Sequence, residues 1–176
     1  MPAILGALAV LAAAFFWIQR ARNAAQVGHD LVDVAKDIRL AARRFGFQRR
    51  SNVHPAETIE DPQIALAALG ASFLELDDYP TAEQKEALVR GLRQELQIPH
   101  QDAEELVLLG RWIMQECGGP QQATSRLSRR LYKLSAQSHF NVFVSLIQGI
   151  TKYGNGTLTQ PQKTALEEVQ RGLKIS

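Results

Sequence analysis

The chain has a single cysteine, Cys117, so no internal disulfide can hold it together, and a reducing compartment suits it. Cys117 stands among Ile113, Met114 and a glycine pair, the setting of a buried small hydrophobe rather than a nucleophile. The four histidines, His29, His54, His100 and His139, are dispersed, with no pair four residues apart and no Cys-x-x-Cys, so the spacing offers no zinc template. Gly118-Gly119-Pro120 lacks the Lys-Ser/Thr that closes a phosphate loop, and no Gly-x-Ser-x-Gly elbow occurs. No stretch alternates apolar and polar residues for long, and hairpin chemistry is missing, which excludes a sheet and leaves an all-α chain. With these templates missing, no catalytic residue and no cofactor is expected. Aromatics are 7% of the chain and no aromatic platform is interleaved with its basic residues, so nucleic acid is not an expected partner.

What the chain does have is one long apolar run. Residues 2–18 carry no charge, and about 17 to 25 such residues suffice for a bilayer-crossing helix. Trp17 falls at an interfacial position, and Arg20 and Arg22 follow at once, as on the side that stays in the cytoplasm. A cleaved signal peptide would place its positive charge before the run and a small-residue cleavage site after it. We therefore expect a transmembrane anchor over 1–26, with the rest on the cytoplasmic side. Small residues at Ala3, Ala7, Ala9 and Ala13 would let another membrane helix pack closely.

Charge is unevenly spread. The whole chain carries +2, while 20–50 holds eight basic residues against three acidic ones, a net +5, so the part from Ser51 onward carries −3. Within 27–50 an amphipathic juxtamembrane helix is expected, with Leu31, Val34, Ile38, Ala41 and Phe45 on one face. Lys36, Arg39, Arg43 and Arg44 lie off that face, followed by Arg49 and Arg50. Such a helix either lies on the inner leaflet, each charge contributing roughly 1 kcal/mol against anionic headgroups, or packs on the domain with its arginines solvated. Residues 51–61, with Pro55 and no periodicity, read as a linker.

The domain spans 62–176, long enough with the preceding segments to bury a core. Six helices are expected: Gln63–Leu76 with Ala65, Ala68, Leu69, Phe73 and Leu76 on one face; one from Thr81 to Pro99 with Leu88, Leu92 and Leu96 inside; Asp102–Cys117; Gln121–Leu134; one capped by Ser135 whose Phe140, Val144, Leu146, Ile147 and Ile150 lead to the second tight turn; and one from Thr159 with Leu166, Val169 and Leu173 at helical spacing.

Two of these helices begin with the same phrase. Residues 81–88, Thr-Ala-Glu-Gln-Lys-Glu-Ala-Leu, and 159–166, Thr-Gln-Pro-Gln-Lys-Thr-Ala-Leu, repeat Thr, Gln, Lys, Ala and Leu in register, and in each the Thr and Gln are spaced as a capping box. Each copy follows a tight turn, Asp77-Asp78-Tyr79-Pro80 or Gly154-Asn155-Gly156, that ends an apolar helix. The unit is a helix, a tight turn and a capped helix, used twice in one compact bundle.

On these residues, from 62 to 174, the chain resembles the TerB-like domain of the tellurite-resistance family, whose halves carry an apolar helix, Ala-Asp-Gly-x-Ile-Ser/Thr and an acidic helix start. An apolar anchor before such a domain is also similar to the front of membrane-anchored DnaJ-like co-chaperones, although the His-Pro-Asp tripeptide of a J-domain does not occur in the chain. The resemblance implies a compact bundle of two related helix pairs, a link to tellurite or stress response, and metal binding at the acidic turns. At those turns Asp77, Asp78 and Glu83 could offer oxygen ligands, but Tyr79-Pro80 interrupts the alternating acids of a calcium loop, and Asn155, Pro161 and Gln162 stand where second-turn acids would. Asp77 and Asn155 are better read as turn residues.

A basic face on the fourth helix, Arg126, Arg129, Arg130 and Lys133, could dock lipid phosphates or an acidic partner, or be merely solvated. Together with Arg39, Arg43 and Arg44 these are the candidate partner- and lipid-binding residues. The chain is expected to be a non-enzymatic membrane-anchored interaction module on the cytoplasmic face of a bacterial inner membrane, or a single-span accessory subunit that stabilises a larger membrane protein complex.

Overall fold

The computed structural model describes residues 34–77, 79–154 and 156–174, and these residues are all-helical. The chain divides into two units, Met1–Asp37 and Ile38–Ser176, and the second carries the core. The apolar run at 2–18 lies outside the described residues, among which no helix is long and apolar enough to cross a membrane.

Helical turns run over 34–44 (α1), followed by a single 3-10 turn at Pro55–Thr58, then α2 (Pro62–Leu74), α3 (Ala82–Leu96), α4 (His100–Glu116), α5 (Pro120–Ser135), α6 (Phe140–Lys152) and α7 (Gln160–Gly172). The ends of these helices are set locally. Asp61 accepts a hydrogen bond from the Gln63 amide at 2.8 Å, with Pro62 in the first turn of α2. Both capping boxes form: Thr81 Oγ1 accepts from Gln84 N at 3.1 Å while Gln84 Oε1 accepts from Thr81 N at 2.8 Å, and the Thr159–Gln162 pair repeats this at 3.4 and 3.0 Å. Between α4 and α5, Gly118 and Gly119 take φ of +94° and +99°, which suits residues without a Cβ, and Pro120 starts the next helix. Ser135, expected to cap α6, instead closes α5 by bonding back to Leu131 O at 3.0 Å, and α6 starts five residues later at Phe140. A serine that can reach a carbonyl four residues back competes with its own capping role.

Helix α2 is the axis of the bundle. A one-sided apolar face was expected for it, yet every residue from Ile64 to Leu74 is buried, because α3, α4, α5 and α6 all pack on it. A helix apolar all round is stable only when covered all round. Its one interior hydroxyl, Ser72, donates to Ala68 O at 2.7 Å. Small residues bring the neighbours close: a Cβ at Gly110 of α4 would lie 2.8–2.9 Å from the backbone of Ala67 and Ala68. Phe73 of α2 meets Phe143 of α6 edge to face with centroids 6.1 Å apart.

The stretch 51–61, expected as a linker, is packed into the domain: Pro55, Ala56, Thr58 and Ile59 are buried against α4 and α5. Pro55 starts a 3-10 turn rather than a break, and Thr58 Oγ1 donates to Pro55 O within that turn.

Candidate functional site

The basic segment after Asp37 is partly tied to the bundle. Ala41 and Phe47 are buried, Ile38, Ala42 and Phe45 pack beside them, and Phe47 meets Trp112 of α4 edge to face at 5.9 Å. Arg44 reaches Asp102 at 2.5 Å and Glu105 at 3.1 Å, Arg49 reaches Glu116 at 3.3 Å, and Arg50 reaches Glu60 at 2.9 Å. From Ile38 on, this segment therefore packs on the domain, and Arg44 is engaged with α4. Arg39 and Arg43 stay exposed, beside Leu40, itself 51% exposed. Val34, placed on the apolar face by its spacing, is exposed.

The four basic residues of α5 do not act as one surface. Arg130 is half-buried: its Nε donates to Ile59 O at 2.7 Å, its Nη2 donates to the same carbonyl, and its Nη1 lies 3.7 Å from Glu57. Lys133 reaches the same Glu57 at 3.6 Å. These two hold the 3-10 turn against the bundle. Arg129 is exposed and oriented by its own helix, donating to Ser125 O at 3.0 Å and to Ser125 Oγ at 3.3 Å. Arg126 is exposed, and its charge acts on His54 and Cys117.

His54 ends the basic segment, its Nδ1 accepting from the Ala56 amide at 3.3 Å. Burial pushes its pKa below the usual histidine value, Arg126 and Arg49 push the same way, and Glu57 opposes them. Burial likewise raises the Cys117 thiol, so it stays protonated as a packed side chain.

At the first acidic turn, Asp77 Oδ2 accepts from Gln84 Nε2 at 3.3 Å, and Glu83 is exposed on the first turn of α3. Asp78 lies outside the described residues. No group of three or more His, Cys, Asp or Glu side chains among the described residues is placed to hold a metal ion.

Spacing alone did not single out two of the clefts on this surface. Between α6 and α7 an apolar groove of about 470 Å³ is lined by Val144, Ile147, Gln148, Thr151, Leu158 and Leu166. Leu166 and Val144 are half-buried, and each forms a wall of this groove. A second cleft, of about 310 Å³ and polar, lies where α7 ends against α5.

Comparison with protein-family models, with curated proteins and with solved structures finds no match for the chain.

Proposed function

We propose that this protein is a non-enzymatic, membrane-anchored interaction module whose TerB-like bundle binds an apolar helix of a membrane protein partner at the cytoplasmic face of a bacterial inner membrane. The anchor and its orientation rest on the uncharged run at 2–18 followed by Arg20 and Arg22. The exposed Arg39 and Arg43 suit contact with anionic headgroups. A role in tellurite or stress response rests on the resemblance alone.

The observation that carries the reading is the groove between α6 and α7. α2 (Pro62–Leu74) and α6 (Phe140–Lys152) have the same length at an offset of 140 − 62 = 78, and α3 and α7 begin at the same offset, each behind a capping box. This supports two related helix-turn-helix units. Moved back by 78, five of the groove residues, Val144, Ile147, Gln148, Thr151 and Leu166, become Leu66, Leu69, Gly70, Phe73 and Leu88, all buried, while Leu158 becomes the half-buried Pro80. That face of the first pair is filled by α6: Phe143 packs on Phe73, and Leu146 sits over Gly70 and Gly91. The corresponding face of the second pair is an open apolar groove, the kind of surface that accepts a helix through side chains three and four residues apart. The occupant we infer is accordingly a helix presenting Leu or Phe.

An accessory subunit of a larger membrane complex is the second reading, favoured by how apolar the groove is, since permanent interfaces are the more hydrophobic ones. A photoreactive side chain at the exposed Gln148, in the full chain in its own membranes, tests both. One crosslinked membrane protein that co-migrates at constant stoichiometry after mild solubilisation supports the subunit, and a crosslinked partner that dissociates on dilution supports the module. If Gln148 crosslinks no more than exposed Glu104 on α4, both readings fail.

A further inference from the structure

We infer that the polar cleft between the end of α7 and α5 is a binding site for a phosphate group. Its walls are Ser125 and Arg129 of α5, Glu168, Arg171 and Gly172 of α7, and Lys174 just beyond. Arg129, Arg171 and Lys174 form no ion pair with a carboxylate among the described residues, whereas Arg44, Arg49, Arg50, Arg90, Arg111, Arg130 and Lys133 all do. Three cations and one carboxylate, Glu168, leave the cleft at +2. That matches free phosphate or a phosphate monoester, which carries roughly −1.5 to −2 at neutral pH.

The arrangement is built rather than loose. Gly172 lets α7 close on α5, since a Cβ there would lie 2.3 Å from Ser128 Oγ. Arg129 is held by its two bonds to Ser125, which leaves Nη1 unused, and Arg171 bonds Glu167 O through Nε at 3.5 Å, which leaves both terminal nitrogens unused. Lys174 Nζ is parked 5.0 Å from the Tyr132 ring centroid. Just beyond α7, Gln137 Nε2 donates to Leu173 O at 3.4 Å and Lys174 O at 2.9 Å. Two guanidinium groups offering planar N–H pairs fit tetrahedral phosphate oxygens, and the Ser125 hydroxyl adds a neutral donor. Bringing like charges together in a small cleft costs repulsion that an anion would remove.

The phosphate belongs either to a free small ligand or to a phospholipid headgroup, and one experiment separates them. The full chain in a neutral detergent is titrated in one arm with inorganic phosphate, and in the other with short-chain phosphatidic acid, a phosphate monoester, added to the micelles. Ionic strength is matched with chloride throughout, and the Nε–H resonances of Arg129 and Arg171 are followed by NMR. Saturable shifts of both resonances with inorganic phosphate assign a free ligand, and shifts in the lipid arm alone assign a headgroup. In either case Arg129→Gln/Arg171→Gln should weaken binding at least about tenfold, while Arg126→Gln, on α5 but outside the cleft, should not. Shifts no larger than those with chloride in both arms, or undiminished binding by the double variant, overturn the assignment.

Discussion

Gly110→Ala and Gly149→Ala are the same chemical change in two helices, and the structure assigns them opposite signs. In an exposed helix the added methyl stabilises by about 0.8–1 kcal/mol through helix propensity, part of it by restricting the unfolded chain. At Gly149 of α6 a Cβ meets nothing within 4 Å, so this gain should appear nearly whole. At Gly110 the Cβ would stand 2.8 Å from Ala68 N and 2.9 Å from Ala67 C and Ala68 Cα, where carbon atoms normally rest at about 3.5–4.0 Å. Those atoms are main chain of a fully buried helix, so no rotamer can relieve the clash. α4 must draw back from α2 by about 0.6 Å or more, and a gap of that size forfeits a quarter to a half of the dispersion attraction along the seam. Overpacking of this kind costs about 1–3 kcal/mol, and contact with backbone belongs at the upper end. After the propensity gain, Gly110→Ala should destabilise by about 1–2 kcal/mol, lowering Tm by roughly 3–8 °C, and Gly149→Ala should raise it by roughly 2–4 °C. Thermal unfolding of the full chain in neutral detergent, followed by helical circular dichroism, measures both. If Gly110→Ala unfolds at or above the wild-type temperature, the close approach of α4 to α2 is refuted.

The remaining predictions concern the 3-10 turn and its ties. Arg130→Ala removes both donors to the buried Ile59 carbonyl and should destabilise by about 1–3 kcal/mol in urea titrations, whereas Arg129→Ala should stay within about 0.5 kcal/mol. Equal effects would contradict the division of the α5 arginines. The pKa of His54 is lowered on folding, so the unfolded chain binds the proton more readily. Stability tied to this residue is then complete above the ordinary value of 6.5 and is lost as pH falls from there through the folded-state value. Protonation also removes the acceptor of the Ala56 amide. His54→Asn, which keeps a capping acceptor that does not titrate, should flatten the fall in stability below about pH 6.5. An unchanged profile would show that His54 is not the group responsible.

Much of the helix punctuation was legible in the sequence, and the reason is range. A capping box joins residues three apart, and Gly118-Gly119-Pro120 acts through its own φ angles. Such signals need nothing from the rest of the chain, so the all-α class and most helix boundaries follow from them. Ser135 misled because its hydroxyl, which as a cap would accept from an amide, had a carbonyl to donate to, Leu131 O, equally within reach.

The site was less legible, because charge and exposure are set by neighbours far along the chain. Arg129 and Arg130 are adjacent and chemically identical, yet one faces a polar cleft and the other is spent on a carbonyl 71 residues away. Arg43 and Arg44 are divided in the same manner by Asp102 and Glu105. Residues 51–61 lack periodicity because one 3-10 turn cannot show any, and only α4 and α5 make them part of the core. The sequence by itself determined where most of the helices start and stop, since those bonds close within a turn. Only the tertiary structure decided that α2 is buried on every side, that Gly110 must lack a side chain, and which arginines remain free, since each depends on side chains and backbone brought together from distant parts of the chain.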